Sequence, residues 1–148
     1  MPFDAIMPDI VLTPPPPAPT LFARPKPRGG GAMAKAAGAA AENAALRRYR
    51  KGGAMFLAQN WRARKIHGGG EIDLVLERGG VVIFVEVKAR RTLPEAYNCI
   101  RPSQLRRIMA AAEGYMTDSG RWGGDMRFDI VLCDRYGAME KIENIWID

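Results

Sequence analysis

Apolar positions along this chain recur at two spacings, and each spacing predicts its own kind of element. Between residues 102 and 117 the stripe Leu105, Ile108, Met109, Ala112, Tyr115 and Met116 follows helical spacing, with Pro102 near the start. Residues 34–51 are rich in alanine and long side chains and run into Gly52-Gly53, so they predict an earlier helix that stops at the glycines. Residues 54–61, AMFLAQNW, read as a strand. Residues 71–77 and 81–88, dense in Val, Ile, Leu and Phe around a Gly-Gly turn, read as a hairpin. Two more strands are expected over 126–133, MRFDIVLC, and over 138–148, AMEKIENIWID. The order helix, three strands, helix, two strands predicts an α/β layer structure, with a central mixed sheet of about five strands flanked by helices.

Charge interrupts the hairpin, and the turn says how. A two-residue Gly79-Gly80 loop with positive φ at both positions pairs Arg78 with Val81 and brings Asp73 opposite Glu86 and Glu71 opposite Lys88. Alternation then puts Glu71, Asp73, Glu86 and Lys88 on one face and Ile72, Leu74, Val85 and Val87 on the other. Like charges directly opposite are unfavourable, and a divalent cation offsets that: Mg²⁺ takes carboxylate and carbonyl oxygens, here Asp73, Glu86 and the Val87 backbone carbonyl. Lys88, two residues on, would orient an attacking water or stabilise charge on a phosphate. The competing reading is a solvated strand face on which Lys88 pairs with Glu71 as a weak surface ion pair. A three-residue loop would separate the acids altogether.

Composition narrows the setting. Nine of the eleven prolines lie in the first 27 residues, so residues 1–33 predict a flexible Pro- and Gly-rich tail ahead of a domain over 34–148. The longest aliphatic-aromatic run is Val81–Val85, against roughly 20 residues for a membrane span. No charged segment precedes an apolar core at the start, so a cytoplasmic protein is expected. Cys99 and Cys133 lack paired spacing, and the single histidine, His67, lies in a Gly-rich loop, where it reads as a surface residue rather than a base and argues against histidine-built metal sites. The net charge of +6 gathers in clusters, Arg47–Lys51, Arg62–Lys65, Lys88–Arg91 and Arg101–Arg107, which suits either a polyanion surface or ordinary solvated charge.

The segments GEIDLVL and VVIFVEVKAR resemble the signature of the YraN-like family of bacterial proteins, and the likeness extends over residues 38–146. That family's fold is similar to the PD-(D/E)XK nucleases and the archaeal Holliday-junction resolvases, which implies a restriction-endonuclease-like three-layer core. The resemblance implies Asp73, Glu86 and Lys88 as the acid, acid and lysine of the nuclease pattern, and Glu42 as a further catalytic acid from the preceding helix. A plain surface glutamate is the other reading of Glu42. The resemblance further implies Mg²⁺ or Mn²⁺ as cofactor, DNA as the nucleic-acid partner and a homodimer, with no membrane and no small-molecule substrate. Arg48, Arg62, Arg64, Lys65, Arg90, Arg91, Gln104 and Arg107 are the candidate nucleic-acid contacts, Gln104 standing where the family often has lysine. The KIHGGG loop is longer than usual, and Asp129 reads as a structural strand residue. Two functions follow as expectations: a metal-dependent endonuclease of branched or structured DNA, or a catalytically weak nucleic-acid-binding module serving a DNA-processing partner.

Overall fold

A computed structural model describes residues 31–121 and 123–146. The stretch expected as a tail lies outside the described residues as far as residue 30, and Gly31–Met33 already belong to the first helix. That helix, α1 (Gly31–Lys51), ends at the glycine pair: Gly53 takes φ +94, and Ala54 N donates to Tyr49 O at 3.0 Å. Its buried stripe is Ala41, Ala45 and Tyr49, while Glu42 and Leu46 flank it half-buried.

The strands β1 (Met55–Arg62), β2 (Glu71–Arg78), β3 (Val81–Ala89), β4 (Met126–Cys133) and β5 (Met139–Ile142) lie side by side in chain order. Only β3 and β4 run parallel. Their crossover holds α2 (Leu93–Asn98) and α3 (Pro102–Asp118). Helices α2 and α3 cover one sheet face through Ala96, Leu105, Ile108, Ala112 and Tyr115, and α1 covers the other. This is the expected three-layer α/β arrangement around a five-stranded mixed sheet. Phe84, 1% exposed, sits with Tyr115 edge-on and Phe128 stacked, each ring 5.7 Å away, and burying such a ring stabilises the fold by about 2 to 3 kcal/mol. No helix among the described residues is long and apolar enough to cross a membrane.

The hairpin turn has both glycines at positive φ, +58 and +80, and the ladder runs from Arg78↔Val81 to Leu74↔Val85 in the register the turn dictates. One residue further, the expected alternation fails. Ile72 packs in the α3-side cluster although Leu74, two positions on, packs on the α1 side. The same slip occurs on β1, where Trp61 meets Tyr115 of α3 at 5.2 Å while Gln59 reaches Glu42 of α1 at 3.4 Å. Between Gln59 and Trp61 stands Asn60 at φ +51, a left-handed conformation that asparagine tolerates, and the register places it opposite Asp73. The pleat therefore turns over at the Asn60–Asp73 row, and Ile72 does not share a face with Leu74 as alternation predicts.

Two further differences are local. The final strand stops at Ile142 because Asn144 adopts φ +58, after which Ile145 N bonds Phe128 O at 2.8 Å; residues 147–148 lie outside the described residues. Helix α2 was not foreseen, although Thr92 caps it by accepting from Glu95 N at 3.2 Å, a Thr-x-x-Glu signal present in the sequence.

The glycine-rich loop rests directly on α3. A Cβ at Gly70 would lie 3.0 Å from Arg107 O and 3.4 Å from Ala111 Cβ. Gly70→Ala is accordingly expected to destabilise by about 1 to 3 kcal/mol, read as a lower urea midpoint at unchanged slope. A midpoint equal to wild type would mean that the loop does not lie against α3.

Candidate active site where the hairpin parts

Beyond Leu74 and Val85 the hairpin partners separate. β2 continues along β1 to Arg62↔Glu71, and β3 continues along β4 to Ala89↔Cys133. In the opening, the Asp73 side chain replaces a ladder bond: its Oδ2 accepts from Val87 N at 2.8 Å. The N–H and C=O of one strand residue point to the same side, so the Val87 carbonyl also looks toward the split. An open cleft of about 220 Å³, lined by Gly70, Glu71, Asp73, Glu86, Gln104, Arg107 and Ile108, lies over it.

The two acids do meet. Their carboxyls are within hydrogen-bonding reach, and Glu86 is 7% exposed. Burial, and next the Glu86 charge, lift the Asp73 carboxyl up to about 7. Glu86 is also raised, chiefly by burial, while the Lys88 ammonium opposes the rise. Such a pair favours sharing a proton or a cation.

Lys88, 8% exposed, pairs with Glu86 and not with Glu71. Its Nζ lies 3.0 Å from Glu86 Oε1 and donates to Gln104 Oε1 at 2.7 Å, and Gln104 Nε2 donates to the same Glu86 oxygen at 3.1 Å. Glu71 instead pairs with exposed Arg62 at 3.2 Å. The solvated-face reading with a Lys88–Glu71 surface pair is thus overturned, because the parting strands carry Glu71 away from Lys88. Gln104, in the first turn of α3, closes the ring from the other side of the cleft.

Glu42 is half-buried and accepts from Gln59 Nε2 at 3.4 Å. Burial first, then the Asp73 charge, push its carboxyl upward. Glu86 feels it too, so the three acids share one electrostatic neighbourhood. Among the described residues, however, no three His, Cys, Asp or Glu side chains converge tightly enough to hold one ion. Asp73 and Glu86 are therefore the direct candidates for a hard cation, with the Val87 carbonyl and retained waters completing its shell, and Glu42 lies at a remove. Glu86 Oε1 and Asp73 Oδ2 are already engaged, which leaves each carboxylate one further oxygen for an ion such as Mg²⁺ or Mn²⁺, so this donor set fits one.

The candidate nucleic-acid residues are dispersed. Gln104 and Arg107 line the cleft, and Arg62 stands beside it on Glu71. Arg64 is held by both Asp118 oxygens, at 3.0 and 2.7 Å, and His67 approaches the same carboxylate at 3.4 Å, fastening the loop to the end of α3. Lys65 is exposed on the short 3₁₀ turn Lys65–His67 between β1 and β2. Arg48 reaches Met139 O at 3.4 Å on the far side of α1, and exposed Arg90 and Arg91 follow β3. Two residues escaped sequence reasoning. Gln59 orients Glu42, and Asn60 turns the pleat; an Asn between otherwise strand-forming residues is the signal that could have exposed the break. Asp129 is structural, as expected: it is buried and accepts from buried Tyr49 and from half-buried Arg127 and Asn144.

Fold and site together define an α/β protein in which a β-hairpin parts beneath a helical layer and gathers two acids and a lysine at the opening. The chain belongs to the uncharacterised protein family UPF0102, the YraN family its signature resembles, whose profile matches residues 41–133. It is similar to a UPF0102 protein of Roseobacter denitrificans, 43% identical over 115 residues that cover 77% of this chain and 86% of the relative. A Ruegeria pomeroyi UPF0102 protein is 39% identical over 110 residues, covering 73% and 85%. One from Azorhizobium caulinodans is 39% identical over 131 residues, covering 82% and 95%.

Proposed function

We propose that the protein is a Mg²⁺- or Mn²⁺-dependent endonuclease that hydrolyses phosphodiesters of branched or otherwise structured DNA. The observation that supports this best is the pairing of Asp73 with Glu86 at the wall of an open cleft, with the Lys88 ammonium 3.0 Å from Glu86. A bound divalent ion supplies Lewis acidity at a phosphoryl oxygen. Asp73 and Glu86 hold the ion and set the place of the phosphate. Val87 N–H fixes the Asp73 carboxylate, and Gln104 fixes Glu86 and Lys88 relative to each other. Lys88 donates to the phosphate or to the attacking water, and the charge of Glu42 acts on the pair. Arg107 and Arg62 contribute phosphate contacts at the cleft, without reading sequence.

Incubating the protein with Mg²⁺ or Mn²⁺ and linear, nicked, flapped and four-way DNA, together with RNA, tests this. Metal-dependent cleavage of a branched DNA is expected, and Asp73→Asn and Lys88→Ala are expected to abolish it. Cleavage that survives both substitutions would remove the site assignment. The convergence of only two acids among the described residues favours a second reading, a nucleic-acid-binding module without efficient chemistry. Tight DNA binding with no cleavage under either metal would select it. The homodimer that the resemblance implies, two cuts being needed at a four-way junction, is checked by sedimentation.

A further inference from the structure

We infer that the β4–β5 turn is a stacking site for an unpaired nucleobase, with the Tyr136 ring as platform and neighbouring arginines holding the flanking phosphates. This rests on the nucleic-acid reading above and adds a substrate class to it: single-stranded nucleic acid, such as the unpaired strand of a flap or fork.

Tyr136 is 78% exposed, and among the described residues it is the one aromatic that lies open to solvent. It is held in place. Asp134 Oδ1 accepts from Tyr136 N at 2.8 Å and from Ala138 N at 2.9 Å, Asp134 N donates to Ala138 O at 3.0 Å, and Gly137 takes the φ of +86 the turn requires. Those bonds engage the turn's carboxylate with backbone donors. The Arg135 guanidinium lies over the ring, 4.7 Å from its centroid, and donates to Tyr136 Oη. A ring backed by a guanidinium presents its other side, and at this exposure the contact contributes only about 0.5 to 1 kcal/mol to the fold.

The position connects this platform to the cleft. Arg135 N donates to Arg91 O at 3.4 Å, and Arg90 N donates to Cys133 O at 3.0 Å, so the turn is laced to the residues that follow β3. Arg90 stands two residues beyond Lys88, about 7 Å along the strand direction. From Lys88, buried on Glu86 at the cleft, the chain thus leads through the exposed Arg90 and Arg91 to the backbone of Arg135, beside an aromatic face. Phosphate attraction alone would need only the arginines. A π-face beside them suits a base freed from its stack, because in a duplex the base faces are already covered. An acidic protein segment would use the arginines and leave the ring idle.

The test uses the full chain in EDTA, so that binding is read without cleavage, with fluorescence anisotropy of labelled oligothymidine and of a blunt duplex of equal length. Tyr136→Ala is expected to weaken oligothymidine binding roughly tenfold. The duplex, and Tyr136→Phe on either ligand, are expected to stay within about twofold of wild type. Arg91→Ala is expected to weaken both ligands and to lower the salt slope by about one. Equal losses for Tyr136→Ala and Tyr136→Phe, parallel losses on both ligands, or displacement of oligothymidine by polyglutamate at equal charge would overturn the inference while leaving the cleft reading intact. Failure of the wild-type chain to bind oligothymidine would overturn the inference, while the cleft reading falls only if branched DNA with Mg²⁺ or Mn²⁺ is neither bound nor cleaved.

Discussion

Asp73→Asn is expected to abolish metal-dependent cleavage, by at least about 100-fold, and at the same time to make the metal-free protein more stable at pH 8. The opposed effects have one cause. Burial and the neighbouring Glu86 raise the Asp73 carboxyl to about 7, so ionising it in the folded state is unfavourable. A folded-state acid raised above its ordinary 3.8 contributes stability while protonated, and that contribution drains away as pH climbs from about 4 through 7. Asparagine escapes the loss, because it carries no charge and its amide oxygen can still accept from Val87 N. The gain at pH 8 is on the order of 2 kcal/mol, several degrees in melting temperature, and it should vanish near pH 4. Millimolar Mg²⁺ should reverse the order by stabilising the wild type alone. Thermal scans across pH with and without Mg²⁺ check this, and an Asp73→Asn protein no more stable than wild type at pH 8 would mean that the acids are not forced together.

Asp129→Ala is expected to destabilise the domain strongly, by about 3 to 5 kcal/mol. Asp129 is 2% exposed and accepts from Arg127 Nε at 3.0 Å and Nη2 at 2.9 Å, from Tyr49 Oη at 2.7 Å and from Asn144 N at 3.0 Å. Burial, followed by the Asp129 charge, pushes the Tyr49 phenol upward, so it stays a donor. Removing the carboxylate strands a guanidinium, a phenol and an amide together. Tyr49→Phe, which removes one donor, should lose only about 1 to 2 kcal/mol. Urea unfolding reads both, and an Asp129→Ala midpoint close to that of Tyr49→Phe would contradict the network. Because Tyr49 ties α1 to the sheet, the loss should also loosen the helix that carries Glu42.

Some of this architecture could be read before any coordinates. The register from Arg78↔Val81 to Leu74↔Val85 follows from two adjacent glycines that accept positive φ, a device acting within four residues. The α3 stripe of Leu105, Ile108, Met109, Ala112, Tyr115 and Met116 was equally plain, and all of it is buried except Met109, which is half-buried. The face of Ile72 was not, because strict alternation cannot anticipate a left-handed Asn60 on the neighbouring strand. Nor was the end of β5, where an apparently continuing alternation meets Asn144 at positive φ.

By itself the sequence determined the hairpin register from Arg78↔Val81 to Leu74↔Val85, with Asp73 and Glu86 one row beyond and Lys88 close behind, since turn chemistry operates between near neighbours. Tertiary structure decided the rest. β1 retains one hairpin strand and β4 the other, so the pair parts where the acids stand, sends Glu71 to Arg62 and leaves Lys88 to Glu86. Helix α3 then delivers Gln104 to both, from 16 residues beyond Lys88. Competition among strands for partners, and the docking of a helix across a sheet, are settled by contacts between distant segments, which no local pattern encodes.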